Sequence, residues 1–308
     1  MGGAVIGIFG GNPVSSPKLR LLAVHAHPDD ESSKGAATSA KYAAEGVEVT
    51  VALLTGGEAG DILNPHFPKD KYDGVPIVEI RREEMAAAAA ALGVNHVWLG
   101  YVDSGLPQGE PVPPVPPGRF STVDTAGPIR DLVKLIRELK PQVMTTYDED
   151  GGYPHPDHIR THEVSVAAYH AAADPDYHPE LGAPWEVLKV YYNQDFEPEK
   201  LRTLHLALQE RGLVSPFADW LDTRANEEVP QREITTRVRC AEYFSHREAA
   251  LRSHASQVDP DGFFFAVPID IAAEVWPYES FELGLSRVPV QLPEDDLFAE
   301  IRQPSTEH

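Results

Sequence analysis

The chain has 308 residues and a formal net charge of −22. That acid excess excludes nucleic acid or an anionic membrane surface as natural partner, since both need basic patches, and it fits a soluble enzyme of a neutral or cationic small molecule. The single cysteine, Cys240, excludes a disulfide framework, and no apolar run reaches the length of a membrane span.

The N-terminal MGGAVIGIFGGNPVSSPK carries an apolar run, Ala4 to Phe9, too short for a signal-peptide core and without a basic residue before it. Ile6 breaks the myristoylation pattern. Residues 1–19 are therefore expected to form a loosely ordered leader, and the protein to be cytoplasmic. Residues 20–28 read as a first strand, 33–45 as a helix stopped by Gly46, and 47–54 as a second strand. A helix between two strands implies parallel pairing with a right-handed crossover. A Gly-rich loop, Thr55 to Asp61, follows, and 62–78 is irregular. Glu79 to Leu92 is a helix, favoured by its alanine run, and 95–99 is a third strand. The proline-rich stretch Gln108 to Gly118 is a rigid extended loop, and loops of this length often wall a cleft. Then come a helix over Thr125 to Leu139, a strand over Gln142 to Tyr147, a helix from Asp157 to Ala173, a strand over 187–193 and a helix over 197–212. Beyond residue 214 the pattern loosens into short helices and loops, apart from an amphipathic helix over Cys240 to His254, in which Cys240 reads as a packing residue.

The expectation is one α/β domain over 20–302. Its part over about 20–195 is Rossmann-like, with a mostly parallel sheet flanked by helices. A partly helical C-terminal subregion covers about 196–302, and 303–308 form a tail.

Two strand ends concentrate the chemistry. The first strand gives way to His25, His27, Asp29, Asp30 and Glu31; the fourth to Asp148, Asp150, Tyr153, His155, Asp157 and His158. Burying such groups is costly unless they pair or hold a metal, and the crevice beyond the carboxyl ends of parallel strands is where α/β sheets bind ligands. Imidazoles with carboxylates suit zinc or a similar divalent ion. Such an ion polarises a carbonyl and lowers the pKa of water, a nearby carboxylate can take a proton, and a tyrosine can donate to an oxyanion. These residue types satisfy metal-assisted amide hydrolysis without assigning individual roles.

The motifs His27-Pro28-Asp29-Asp30-Glu31 and Gly151-Gly152-Tyr153-Pro154-His155-Pro156-Asp157-His158 together resemble the PIG-L/LmbE-like zinc N-deacetylase family. The similarity runs from about residue 20 to residue 302. The stretches 25–38, 54–65, 98–107, 145–159 and 253–260 look most like the branch that cleaves mycothiol S-conjugates to an N-acetylcysteine S-conjugate and glucosaminyl-inositol. Ser32-Ser33-Lys34 and Tyr153-Pro154-His155 also read as that amidase branch. A sibling branch deacetylates N-acetylglucosaminyl-inositol, and it stands as the alternative, beside a non-catalytic sugar-binding protein of the same fold.

The resemblance implies one Zn2+ per chain at His27, Asp30 and His158, with Fe(II) or another divalent ion compatible with the same ligands. It implies Asp29 as general base, His155 as general acid for the leaving amine or as a helper at the oxyanion, and Tyr153 as stabiliser of the tetrahedral intermediate. It sets Arg81 and Asp103 against the sugar-inositol part and Lys34 near the substrate. Asp61 stands where the family often carries Glu, which shortens the reach to a sugar hydroxyl. His254, in the SHASQVDP stretch, is a candidate for the cleft. Plainer readings stand beside these: His25 as an orienting or packed residue, Glu31 as a cap of the following helix, and Arg81 paired with Glu84. The expected partner is a small-molecule mycothiol S-conjugate, with neither nucleic acid nor membrane, and the sequence carries no signal for oligomeric state.

Overall fold

Leu21 to Val24 are almost sealed from solvent, and the strand they form lies at the centre of a sheet. In the computed structural model, which describes residues 18–224 and 232–302, this strand is β1 (Arg20–His25). It pairs in parallel with β2 (Glu48–Thr55) on one side and β4 (Val143–Thr146) on the other. Next to β2 lies β3 (Asn95–Tyr101), and next to β4 lies β5 (Lys189–Asn193), both parallel. Of the expected leader only Lys18 and Leu19 are described, and the expected tail 303–308 lies outside the described residues.

The connecting helices match the expected α/β alternation. They are α1 (Asp30–Ser33), α2 (Ala36–Ala44), α3 (Ile77–Leu92), α4 (Ala126–Leu139) and α5 (Pro156–Ala173). One core joins Leu22, Val24 and Met144 of the sheet to Leu132, Ile136 and Val164 of α4 and α5. Separate clusters bind Ala23, Val51 and Leu53 to Met85 and Ala89 of α3, and Ala36 and Ala40 of α2 to Ala88 and Leu92. Burial of these apolar side chains from both directions is what an all-parallel run of strands requires.

The C-terminal subregion departs from expectation. Besides α6 (Pro198–Glu210), α7 (Ala218–Arg224), α8 (Phe244–Ser253) and α9 (Ile269–Val275), it supplies two strands, β6 (Thr236–Arg239) and β7 (Tyr278–Ser286). Both join antiparallel, giving a seven-stranded order β3-β2-β1-β4-β5-β7-β6. Their patterns hide them. β6 reads TRVR, with one apolar residue, and β7 buries Glu279 and Ser280 beside Phe281. The Glu279 carboxylate accepts from the amides of Ala37 and Thr38 at 3.1 and 2.8 Å, so it satisfies otherwise unpaired donors at the start of α2. The helix expected from Cys240 starts only at Phe244, after a 3-10 turn over Ala241–Tyr243. Cys240 is fully buried in the cluster of α6, Phe217 and Trp276, as a packing residue. The strand order reverses between β1 and β4, and both chemistry-bearing loops leave the sheet there.

Candidate active site

The first loop turns sharply after β1. Asp29 takes φ 114°, a backbone region that costs a side-chain-bearing residue about 1–3 kcal/mol. Its amide is held by Glu31 Oε2 at 2.9 Å. Glu31 also accepts from Ser32 and meets His254 Nε2 at 2.6 Å, both partners wholly buried. The His254 charge holds the Glu31 carboxyl at about 2 despite burial. Glu31 lies in the first turn of α1, where the expected cap belongs, and its carboxylate also clamps the Asp29 turn. His254 stays outside the cavity and acts on that clamp, because the end of α8 closes over the loop from behind.

Three side chains then converge with their proton positions set by neighbours. His27 Nε2 lies 3.2 Å from Asp157 Oδ2 and 3.5 Å from Asp103 Oδ1, so it carries the proton and leaves the Nδ1 lone pair free. That Nδ1 is 3.4 Å from Asp30 Oδ2. His158 Nδ1 is 3.0 Å from the Gly151 carbonyl and donates to it, which leaves the Nε2 lone pair free. His158 Nε2 is buried without a hydrogen-bond partner and lies 3.4 Å from the same Asp30 oxygen. Asp30 Oδ2 also accepts from the His27 amide and from the Tyr147 hydroxyl, at 3.0 and 2.7 Å. Two imidazole lone pairs and one carboxylate therefore meet, and the residues fit a divalent metal with open positions. The electrostatics agree. Burial opposes charge on His27, but hydrogen bonds to Asp103, Asp157 and Asp30 outweigh it and hold that ring well above the usual histidine range. Those carboxylates favour positive charge at the centre; a divalent cation there would supply it by displacing the Nδ1 proton that they otherwise hold on His27. Burial lowers His158 and favours its neutral form.

The other expected residues gather around this centre. Burial and the adjacent Asp30 charge push Asp29 up to about 6. His155 caps α5, its Nδ1 accepting from the Asp157 amide at 3.1 Å, so its proton sits on Nε2. Its ring is 4.6 Å from that of His27 and 5.1 Å from that of His158. Burial and those two neighbours lower His155 to about 3. Tyr153 stands edge-on to His158 with ring centroids 4.7 Å apart. Lys34 Nζ pairs with Asp30 Oδ1 at 2.8 Å, one turn along the short helix.

On the β2–β3 side, Arg81 is buried and donates to the Gly57 and Asp61 carbonyls. It does not pair with Glu84, which accepts from Ser256 instead. A Cβ at Gly57 or Gly60 would land on the guanidinium, so the Gly-rich loop exists to let Arg81 in. Asp103 accepts from the amides of Ala59 and Gly105 as well as facing His27. Asp61 is exposed at the rim. With these residues, His27, Asp29, Asp30, Lys34, Tyr153 and His155 line a single cavity of about 490 Å³. Of the proline-rich stretch only Gln108 reaches it.

Sequence reading assigned no role to Tyr147, whose hydroxyl bridges the Ala26 amide and Asp30 and whose ring stacks on His158 at 4.2 Å. Its position, last before the loop on an apolar strand, was the available signal. Asp157, which orients His27 and accepts from the Ser104 amide at 2.8 Å, went without a role too. Asp148 and Asp150 turn away, to loop amides and Arg232. His25 is packed against Tyr147, and burial lowers it to about 4.

Residues 22–169 match the family model described as PIG-L, GlcNAc-PI de-N-acetylase. A mycothiol S-conjugate amidase from Streptomyces coelicolor is 54% identical over 287 residues, covering 92% of this chain and 98% of that protein. The chain belongs to the PIG-L family. It is a hydrolase of the amidase and deacetylase kind. A 1D-myo-inositol 2-acetamido-2-deoxy-alpha-D-glucopyranoside deacetylase from Streptomyces avermitilis is 42% identical, over 87% of this chain and 92% of that one. The PIG-L fold also reaches across reaction types. The structure of a 4-carboxy-2-hydroxymuconate hydratase from Pseudomonas putida KT2440 superposes with a TM-score of 0.57 at 18% identity, covering 89% of this chain and 99% of that one. Likeness at that level fixes the fold alone. Among the described residues no helix is long and apolar enough to cross a membrane.

Proposed function

We propose that the chain is a zinc-dependent amidase, one ion per chain, that cleaves mycothiol S-conjugates in the cytoplasm. The observation that carries the reaction is the meeting of the His27 and His158 lone pairs with Asp30, beside the strained Asp29. The substrate rests on greater likeness to the amidase, at 54%, than to the deacetylase, at 42%.

Zinc, held by His27, Asp30 and His158, would polarise the scissile carbonyl and lower the pKa of water. The chain's own residues do the rest. Asp29, with a pKa of about 6, takes the proton of the attacking water as the oxygen bonds to the amide carbon. Tyr153 and the Nε2–H of His155 donate hydrogen bonds to the developing oxyanion. His155 is held neutral, at about 3, which favours this donor role over that of proton source. Asp29 then passes its proton to the departing nitrogen as the C–N bond breaks. The products are an N-acetylcysteine S-conjugate and glucosaminyl-inositol. Arg81, Asp103 and Asp61 would receive the sugar-inositol part, and Lys34 would steady Asp30 beside the acyl group.

A paired assay on zinc-loaded protein tests the reading, with a bimane conjugate of mycothiol in one arm and N-acetylglucosaminyl-inositol in the other. A much higher kcat/KM on the conjugate is expected. Preference for the acetylated sugar would make the chain a deacetylase of the same pathway. Silence on both with zinc bound would overturn the proposed substrate.

A further inference from the structure

The cavity that holds the metal-ligand set continues into a second wall made mostly of aromatic and aliphatic side chains, with Asp195, Lys200 and Arg247 at its margins. Phe196 lies three residues beyond the end of β5, Leu204 lies on α6, Phe217 precedes α7, Phe263 and Phe264 form a 3-10 turn, and Trp276 ends α9. Phe263 is the hub: its ring stacks on Phe196 at 6.4 Å and meets Phe217 and Phe264 edge-on at 5.5 and 5.9 Å. Leu204, Phe217 and Trp276 are buried, whereas Phe196, Phe263 and Phe264 are 43–47% exposed. Aromatic rings in a cavity with that much free face have surface left to cover.

The sheet order separates this wall from the polar one. Asp61 and Asp103 come from the loops after β2 and β3, and Phe196 and α6 come after β5, on the other side of the β1–β4 loops. A scissile amide at the metal-ligand set therefore has a polar wall to one side and an aromatic wall to the other. Most of that side is ring face, which an apolar group covers better than the hydroxyls of a sugar or inositol do.

We propose that this aromatic wall is the subsite for the group carried on the conjugate's thiol sulfur, an aromatic or other apolar adduct, and that Phe263 is its specificity-determining residue. The proposal rests on the amidase reading above. Burial of apolar surface is non-directional, so a stacked phenylalanine wall accepts adducts of different shape while the amide stays in register.

The test uses the full zinc-loaded chain, wild type and Phe263→Ala, on two substrates: the bimane conjugate of mycothiol and its S-methyl conjugate. Phe263→Ala should raise KM for the bimane conjugate about 10- to 100-fold. KM for the S-methyl conjugate should stay within about threefold, and kcat should change little on either. Phe196→Leu, which keeps an apolar side chain, should show the same selectivity to a smaller degree and guards against a folding defect. Equal losses on both conjugates, or none on either, would overturn the subsite while leaving the amidase reading intact. A wild-type enzyme inert on both would overturn that reading and the subsite with it.

Discussion

The two walls of the cavity are held by opposite means. On the polar wall the buried charged groups are tied to backbone. Arg81 is locked to the Gly57 and Asp61 carbonyls, Asp103 to the amides of Ala59 and Gly105, and Asp29 by the Glu31–His254 clamp. On the aromatic wall ring contacts set most of the surface, with Arg237 stacked over Trp276, and the central rings stand nearly half exposed. Directional bonds fix atoms to within a fraction of an ångström, which reaction geometry needs. Ring stacking leaves room to adapt. An enzyme meeting one invariant amine and many acyl groups gains from rigidity on the first side and tolerance on the second.

The largest break in that comparison is His158→Ala, which removes the buried lone pair facing Asp30. Zinc retained after dialysis, measured by elemental analysis, should fall from about one ion per chain to background, and turnover with it. Full retention would take His158 out of the ligand set. Asp29→Asn should act on rate alone. The isostere keeps the turn but cannot take a proton, so kcat should drop about 10²- to 10⁴-fold with zinc content unchanged. Undiminished kcat would move the base elsewhere.

These side chains were legible in the sequence because they sit on two short motifs at parallel strand ends, where apolar runs stop abruptly. The strands and helices from β1 to α5 were legible for the same reason: each is apolar enough to show its period. What hid were features made by contact between distant segments. β7 carries a buried Glu279 that serves α2, some 240 residues earlier, so its own alternation is broken by a partner the local pattern cannot show. His254 has no local signal for its bond to Glu31, and the aromatic wall draws on five separate segments. The second-layer residues Tyr147 and Asp157 are in the same class, since an ordinary tyrosine or aspartate acquires a task only through what it faces.

Tyr147 gives the smallest and sharpest test of the rigid wall. Its hydroxyl donates to Asp30 at 2.7 Å and accepts from the Ala26 amide at 2.9 Å. Tyr147→Phe keeps the ring stacked on His158 and removes only these bonds. The Ala26 amide is then a buried donor without a partner, a loss of about 1–3 kcal/mol, to be read as a lower denaturant midpoint. Asp30 loses the donor that orients it, and outer-layer losses of this kind weaken metal binding about 10- to 100-fold, to be read by competition with a chelator. On the bimane and S-methyl conjugates the variant should fall by the same factor, because Tyr147 touches neither wall's substrate surface. If the loss depends on the thiol adduct instead, the metal-ligand set and the aromatic wall are mechanically coupled, and the division between a rigid side and a tolerant side fails at the residue that joins β4 to the site.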